Sequence, residues 1–337
     1  MAENTTKIKE ALSVSSNCDI QTLINRSNEI ASQCKDYMVV KANNSNVRFN
    51  ESAGLTFMLS NGEVKNLGLT HYSLSQLSTK LGIPTRYIEK CVNSGRIDLA
   101  QDNINSWLED YNKDLFIRGY NDQIRGVLSS KYSVCDSPEI LKVVDDAVDL
   151  SNYKVKGSFL NEERLHLRLI GKEMLPIDEE DLFAGLFIDS SDVGRSILTV
   201  KFGIYKQVCT NGLVIAKSGG VLFEQKHIGI TAEEFHKGLT NSLKTVDELT
   251  EHAIEWVEYA KNCKAHNTME NTEEFLAYIR QQTNLSEENA NKVIYLMKDR
   301  YDMSRWGLIN GITEVAQDFT LERRLELERM AGNLLVA

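Results

Sequence analysis

Residues 195–217 read RSILTVKFGIYKQVCTNGLVIAK, and they carry the clearest strand pattern in the chain. Apolar and polar side chains alternate through the first half, which is the period of a half-buried strand. The apolar positions are Leu198, Val200, Phe202 and Ile204, and the intervening positions are Thr199, Lys201, Gly203 and Tyr205. Thr210, Asn211 and Gly212 tolerate positive φ, so we predict a tight turn there and a hairpin partner from Leu213 to Ala216.

The rest of the chain is organised around this hairpin. Further alternating segments between Tyr153 and Ile188 precede it, and amphipathic helical patterns follow Thr231. Short strands separated by turns favour an antiparallel meander over a βαβ array. We therefore predict an α+β fold with a central antiparallel β-sheet, a helical N-terminal insert and a helical C-terminal region. The predicted divisions are an N-terminal arm (1–35), an α+β core (36–230) and the C-terminal helical region (231–337).

The helical N-terminal insert begins with two short helical patterns between Ser73 and Cys91. Leu74, Leu77 and Leu81 form an apolar stripe, and Gly82 suits the end of the first helix. Two helices joined by a glycine turn match a DNA-binding helix-turn-helix in outline. An ordinary helical corner is the alternative interpretation.

The composition is that of a globular protein with an acidic balance. The 337 residues are 42% hydrophobic and 26% charged, with a net charge of −10. This balance argues against wholesale coating of nucleic acid or acidic membranes, but a basic face can exist on an acidic protein. The six cysteines are scattered, with no Cys-x-x-Cys pair, which is typical of free thiols in a reducing compartment. With no secretory apolar segment at Met1 and no run of about 18 apolar residues, we expect a cytoplasmic protein that does not enter a membrane.

Motifs for catalysis are absent from the sequence. There is no Walker A loop, Gly-x-Gly-x-x-Gly, Gly-x-Ser-x-Gly or His-Glu-x-x-His pattern. We therefore expect a non-enzymatic protein with no catalytic residue, cofactor or metal. Asp178–Asp181, Asp189 and Asp192 leave open a metal-dependent nuclease. Four consecutive acids cannot all converge on one cation, however, so a solvated loop is favoured.

Charge is placed unevenly in the predicted sheet. From Ser151 to Lys217 there are nine Lys or Arg and nine acids, but most acids fall in predicted turns and several basic residues fall on alternating strand positions. A basic face carrying an aromatic ring suits single-stranded nucleic acid, because cations contact phosphates and the ring stacks on a base. A solvated face, or one covered by the C-terminal helices, is the alternative. The predicted nucleic-acid-binding residues are Lys154, Lys156, His166, Arg168, Arg195, Lys201 and Tyr205, with Arg118, Arg125 and Lys131 extending the patch.

Five motifs together resemble a known family. They are Leu81–Tyr87, Arg125–Tyr132, Ser190–Gly194, Val208–Leu213 and Trp306–Glu314. In order and spacing, the chain from about Tyr72 to Leu334 resembles the phage/plasmid-like family known as domain of unknown function 932. The resemblance implies a protein of phages, prophages or plasmids, active in DNA replication, recombination or host interference. The order of elements is also similar in outline to phage single-strand annealing proteins.

Two functional hypotheses of different classes follow. The first is a phage- or plasmid-encoded protein that binds single-stranded DNA on the basic face, as a homo-oligomer, and supports recombination or strand annealing. The second is a protein-interaction module, such as an inhibitor of a host defence system, because the amphipathic helices after Thr231 and the acidic surface suit a protein partner.

Overall fold

The computed structural model describes residues 20–149, 152–160, 164–177, 181–206, 211–214 and 221–335. The first helix, α1, covers Ile20–Ser32 and lies within the predicted N-terminal arm. Six strands then form the first sheet: β1 Cys34–Ala42, β2 Val47–Phe49, β3 Gly54–Met58, β4 Val64–Leu69, β5 Lys113–Tyr120 and β6 Gln123–Ser129. Their spatial order is β1-β5-β6-β4-β3-β2, and β4 pairs with β6 in parallel while the other neighbours are antiparallel.

A helical insert separates β4 from β5 and makes the parallel pair possible, since parallel strands need a long crossover. Its helices are α2 His71–Leu81, α3 Thr85–Asn93 and α4 Ile97–Glu109. The predicted stripe of Leu74, Leu77 and Leu81 is buried in one cluster with the apolar face of the first sheet. Gly82 ends α2 with φ of 70°, in the left-handed region that favours glycine.

After helix α5 (Ser137–Ala147), six more strands form a second sheet. They are β7 Tyr153–Leu160, β8 Leu165–Met174, β9 Leu182–Ser190, β10 Leu198–Lys206, β11 Asn211–Val214 and β12 Val221–Gln225. The order is β11-β10-β9-β8-β7, β12 also pairs with β10, and every pair is antiparallel. The α+β class is confirmed. The single antiparallel sheet is corrected to two sheets, of which the first is mixed.

The apolar side of strand β10 is buried as its alternation predicted, but the strand is not half-buried, because Thr199, Gly203 and Tyr205 on the other side are buried as well. Leu198, Val200, Phe202 and Ile204 are all at most 1% exposed and belong to the larger hydrophobic cluster. The hairpin also forms, but Asn211 and Gly212 lie inside β11, opposite Lys206 and Tyr205 respectively, instead of forming the turn. The connection 207–210 and the predicted strand residues after Val214 lie outside the described residues.

The chain after Thr231 is helical, as predicted. The helices are α6 Ala232–Leu243, α7 Val246–Asn262, α8 Thr272–Thr283, α9 Glu287–Asp299, α10 Arg305–Val315 and α11 Leu321–Leu335, with a short 3₁₀ turn at Ala316–Asp318 before the last. Helix α10 lies against the core face of the second sheet, where Asn310 accepts a hydrogen bond from Lys206 at 3.3 Å. Within the described ranges, no helix combines the length and apolar character needed to cross a bilayer.

Candidate functional site

The pairing register brings the predicted basic positions of the second sheet to one face. Arg168 and Lys201 both lie directly opposite Phe187, from its two sides. Tyr205 lies four residues after Lys201 in β10 and therefore on the same face of the sheet. The Lys156 ammonium lies 5.7 Å from the centroid of the Tyr205 ring. We refer to this surface as the polar sheet face.

The polar sheet face is covered at its centre, so it is not an open basic platform. Arg168 is 6% exposed, and its Nη2 donates to Glu328 of α11 at 2.9 Å. Its guanidinium also lies 5.4 Å from the centroid of the Phe187 ring. Glu328 is fully buried and accepts a second hydrogen bond from Arg324. The prediction that Arg168 contacts phosphate is therefore corrected, because helix α11 neutralises it inside the protein.

His166 and Tyr205 are likewise corrected from surface to interior residues. His166 is 4% exposed, with its Nδ1 2.8 Å from an Asp189 carboxylate oxygen. Burial alone would raise the pKa of Asp189, but the hydrogen bond and charge of His166 and the charge of Arg164 lower it overall. Tyr205 is 5% exposed, which leaves no ring face for a base. Lys154 and Lys156 remain exposed on this face and Lys201 is half-buried.

Arg118 is a structural residue at the junction of the two sheets. It is 2% exposed and makes paired hydrogen bonds to Asp36 at 3.0 Å and to Asp136 at 2.6 Å. Its Nη1 also donates to the Asp192 carbonyl at 2.6 Å. Burial would lower the pKa of Arg118, but the hydrogen bonds and charges of Asp136 and Asp36 raise it above its ordinary value. Arg118 is therefore permanently charged and fully occupied within the protein.

Arg125 completes this buried arginine cluster. It is 3% exposed, and its Nη1 lies 3.4 Å from Oδ2 of Asp192. The other carboxylate oxygen of Asp192, Oδ1, accepts hydrogen bonds from the backbone amide and the hydroxyl of Ser137. The predicted extension of a DNA-binding patch through Arg118 and Arg125 is corrected for the same reason. Of the three extending residues, Lys131 alone is exposed.

Arg195 is exposed and borders a cleft of about 560 Å³ between the two halves of the molecule. Helix α2 and strand β6 form one wall, and the segments 194–197 and 226–228 form the other. The lining cations are Lys80, Arg195 and Lys226, and no carboxylate lies among the described residues that line it. In a chain with a net charge of −10, this is a marked local excess of positive charge.

The same cleft contains polar atoms without partners. His227 is 5% exposed, and neither ring nitrogen has a hydrogen bond of good geometry within the described chain, although the Ser133 backbone lies close enough to favour the protonated ring. Its ring stacks on Tyr132, with centroids 5.3 Å apart. Burial lowers the pKa of His227, so the imidazole is neutral near pH 7 and can donate from one nitrogen and accept at the other. The Ser196 hydroxyl is also buried, and the part of the chain that the structure describes provides no hydrogen-bond partner for it. Such atoms call for a ligand or ordered water.

Local hydrogen bonds of α2 hold the cleft in shape. The Gln76 side chain accepts from the Val127 amide and donates to the Val193 carbonyl, both at 2.8 Å. At the start of α2, Thr70 and Ser73 form a capping box, and the Ser73 hydroxyl donates to the Ile124 carbonyl at 2.7 Å. One side chain, Gln76, therefore fixes helix α2 against both β6 and the loop that carries Arg195.

Of the predicted nucleic-acid-binding residues, Arg195 lines this cleft, although the prediction placed it on the basic face of the sheet. Lys80, Lys226 and His227 were missed, because no local pattern marks them and they meet only through the tertiary fold. The sequence did contain one indication of the cleft. The motifs Arg125–Tyr132 and Ser190–Gly194 both contribute residues to the cleft lining.

The architecture is thus an α+β protein with two sheets and a cationic cleft at their junction. A family model described as Domain of unknown function (DUF932) matches residues 125–332, more than half of the chain. The chain therefore belongs to this family. The matched range begins at Arg125, so the Leu81–Tyr87 motif lies outside it. Comparison with curated proteins and with solved structures found no match.

Proposed function

We propose that the protein binds single-stranded DNA and that the cleft is where it contacts the strand. The observation that carries the proposal is the lining of the cleft, with three cations and no carboxylate among its described residues. Lys80, Arg195 and Lys226 would contact phosphates, since sequence-independent binding of nucleic acid depends mainly on such contacts.

The environment of Lys80 supports an anionic ligand. This ammonium is half-buried, and burial and the charge of Lys113 both lower its pKa. A phosphate beside Lys80 would offset both effects, because an opposite charge stabilises the protonated form.

Tyr72 provides the aromatic component that the sheet face lacks. It is half-buried in the cleft lining, and the Arg195 guanidinium lies 5.8 Å from the centroid of its ring. A tyrosine beside cations is the arrangement on which single-stranded bases stack without sequence preference. The cleft volume is also within the range of sites that hold one small ligand, so one or two nucleotides would occupy it at a time.

The biological setting forms part of the same proposal. We infer a phage- or plasmid-encoded protein of the cytoplasm that supports recombination or strand annealing as a homo-oligomer. Strand annealing needs several protein copies along one strand, and one cleft per copy suits that arrangement.

The test compares two triple variants with equal loss of charge. Lys80→Gln/Arg195→Gln/Lys226→Gln neutralises the cleft, and Lys154→Gln/Lys156→Gln/Lys201→Gln neutralises the polar sheet face. We expect the cleft variant to lose at least tenfold in affinity for a fluorescent single-stranded oligonucleotide, with the sheet variant within twofold of wild type. The reverse result would show that DNA binds to the polar sheet face and not to the cleft. No binding by wild-type protein at low salt would refute the proposed function.

A protein-interaction module is the second candidate, and an apolar surface on the helical insert favours it. Leu99 and Trp107 of α4 are 42% and 58% exposed, and Tyr87 of α3 is 41% exposed nearby, with its hydroxyl 3.3 Å from Asn103. Exposed aromatic side chains are enriched at protein interfaces. A partner that co-purifies with wild-type protein but not with Trp107→Ser, in the absence of DNA binding, would support this alternative.

A further inference from the structure

Three side chains of types that can ligate metals meet outside the lining of the cleft. Cys135, Glu139 and His236 each present one donor atom, and these atoms all lie within 4.8 Å of one another. Cys135 is a buried free thiol, His236 is half-buried and Glu139 is exposed. Thiolate, imidazole and carboxylate are the three ligand types that zinc takes from proteins.

Secondary structure explains why the three side chains converge. Cys135 lies two residues before α5, and Glu139 occupies the third position of that helix, four residues further on. His236 lies in the second turn of α6, whose start is fixed by the capping box of Thr231 and Glu234. Helices α5 and α6 pack against each other, which brings His236 to the start of α5.

The imidazole of His236 gives an independent indication of a missing ligand. Its Nε2 is buried, and no hydrogen-bond partner for it exists within the described residues. A buried polar atom without a partner is unfavourable, and coordination of a metal ion through Nε2 would satisfy it.

We propose that Cys135, Glu139 and His236 bind a divalent transition-metal ion of the zinc type. Zinc lies about 2.0–2.3 Å from such ligands, so ligand atoms in a tetrahedral site are about 3.3–3.8 Å apart. The exposed Glu139 side chain can close the remaining distance by a rotamer change. Three protein ligands leave one coordination position for water or for a ligand, unlike the four-ligand sites that are purely structural.

The position of this site gives the metal a structural consequence. It would join the start of α5, which follows the first sheet, to α6, which follows the second. Phe235, beside His236, lies 6.1 Å from the ring of the cleft residue His227. The metal would thus stabilise the wall of the cleft through the neighbouring residue.

The test measures cobalt binding to the full chain, freed of metal by a chelator. Wild type should bind one Co²⁺ with a thiolate-to-cobalt charge-transfer band, and Zn²⁺ should displace it. Cys135→Ser should lose the band, and Glu139→Gln and His236→Gln should each weaken cobalt affinity at least tenfold. Cys263→Ser and His252→Gln, which change the same residue types elsewhere, should leave the titration unchanged.

Two outcomes would overturn the metal site. One is the absence of a cobalt band in folded wild-type protein, and the other is unchanged affinity in Glu139→Gln. Because Glu139 is exposed, that variant is expected to fold even if Cys135→Ser does not. Zn²⁺ should also raise the Tm of wild type but not of Glu139→Gln, a readout that is independent of DNA binding.

Discussion

At the scale of single residues, the basic side chains of this chain divide into buried and exposed groups with different roles. Arg118, Arg125 and Arg168 are each paired with carboxylates inside the protein. Replacing a buried ion pair by apolar side chains is often neutral for stability, but removal of one partner alone is costly because the other stays charged. Lys80, Arg195 and Lys226 instead line the cleft.

Replacement of Arg168 should affect folding directly. Arg168→Met leaves the fully buried Glu328 with Arg324 as its one remaining ion-pair partner among the described residues, so we expect a loss of about 3–5 kcal/mol in the free energy of unfolding. Urea denaturation measures this loss. Lys154→Met, an exposed change in the neighbouring strand, should stay within about 0.5 kcal/mol of wild type. Equal stability of the two variants would show that the Arg168–Glu328 pair does not form.

His227 should make stability dependent on pH on the acid side. Its pKa is lowered in the folded protein, so as the pH falls below about 6.5 the unfolded chain binds a proton before the folded chain does. Stability contributed by the neutral ring is therefore complete above that pH and is lost below it, with a slope of up to about 1.4 kcal/mol per pH unit.

The variant His227→Phe isolates this contribution. The difference in unfolding free energy between variant and wild type should shift in favour of the variant as the pH is lowered from 7 to 5. The exposed His252 provides the control, since His252→Phe should run parallel to wild type. Parallel profiles for His227→Phe and wild type would contradict the assignment.

At the scale of secondary-structure elements, the Gln76 side chain holds α2 in position together with the Ser73 hydroxyl and the buried leucine stripe. Gln76→Met would keep the volume but leave the Val127 amide and the Val193 carbonyl without their partner. We expect a loss of about 1–3 kcal/mol in unfolding free energy, together with weaker DNA binding because Lys80 is carried by the same helix. Gln21→Met, on α1, serves as the control for both measurements. Unchanged DNA affinity in a destabilised Gln76→Met variant would contradict the claim that the position of α2 matters for DNA binding.

The strands and helices around β10 were predictable because each depends on a local pattern. Alternation predicted the buried apolar side of β10, and the amphipathic pattern after Thr231 predicted the helices that begin with α6. What covers the other side of a strand is not a local property. The strand positions of Arg168 and Lys201 predicted that their side chains share one face of the sheet. They did not predict that helix α11 covers this face, because the contact with Glu328 is made 160 residues after Arg168.

At the scale of the whole molecule, the two sheets meet at the buried arginine cluster, and the cleft lies beside that junction. The sequence showed strands early and late in the chain but not their separation into two sheets, which depends on pairings between strands far apart in the chain, such as β1 with β5 and β4 with β6. The cleft could not be predicted for the same reason, since Lys80 and Lys226 come from opposite halves of the chain. Arg195 was identified only because the strand it precedes was recognised.

The most direct test of the central claim is the salt dependence of single-stranded DNA binding. Three phosphate contacts in the cleft predict that the logarithm of the binding constant falls against the logarithm of salt concentration with a slope of roughly −2. The variant Lys80→Gln/Arg195→Gln/Lys226→Gln should bring that slope close to zero, and Lys154→Gln/Lys156→Gln/Lys201→Gln should leave it unchanged. A wild-type slope that persists in the cleft variant would contradict the claim that the cleft holds the strand.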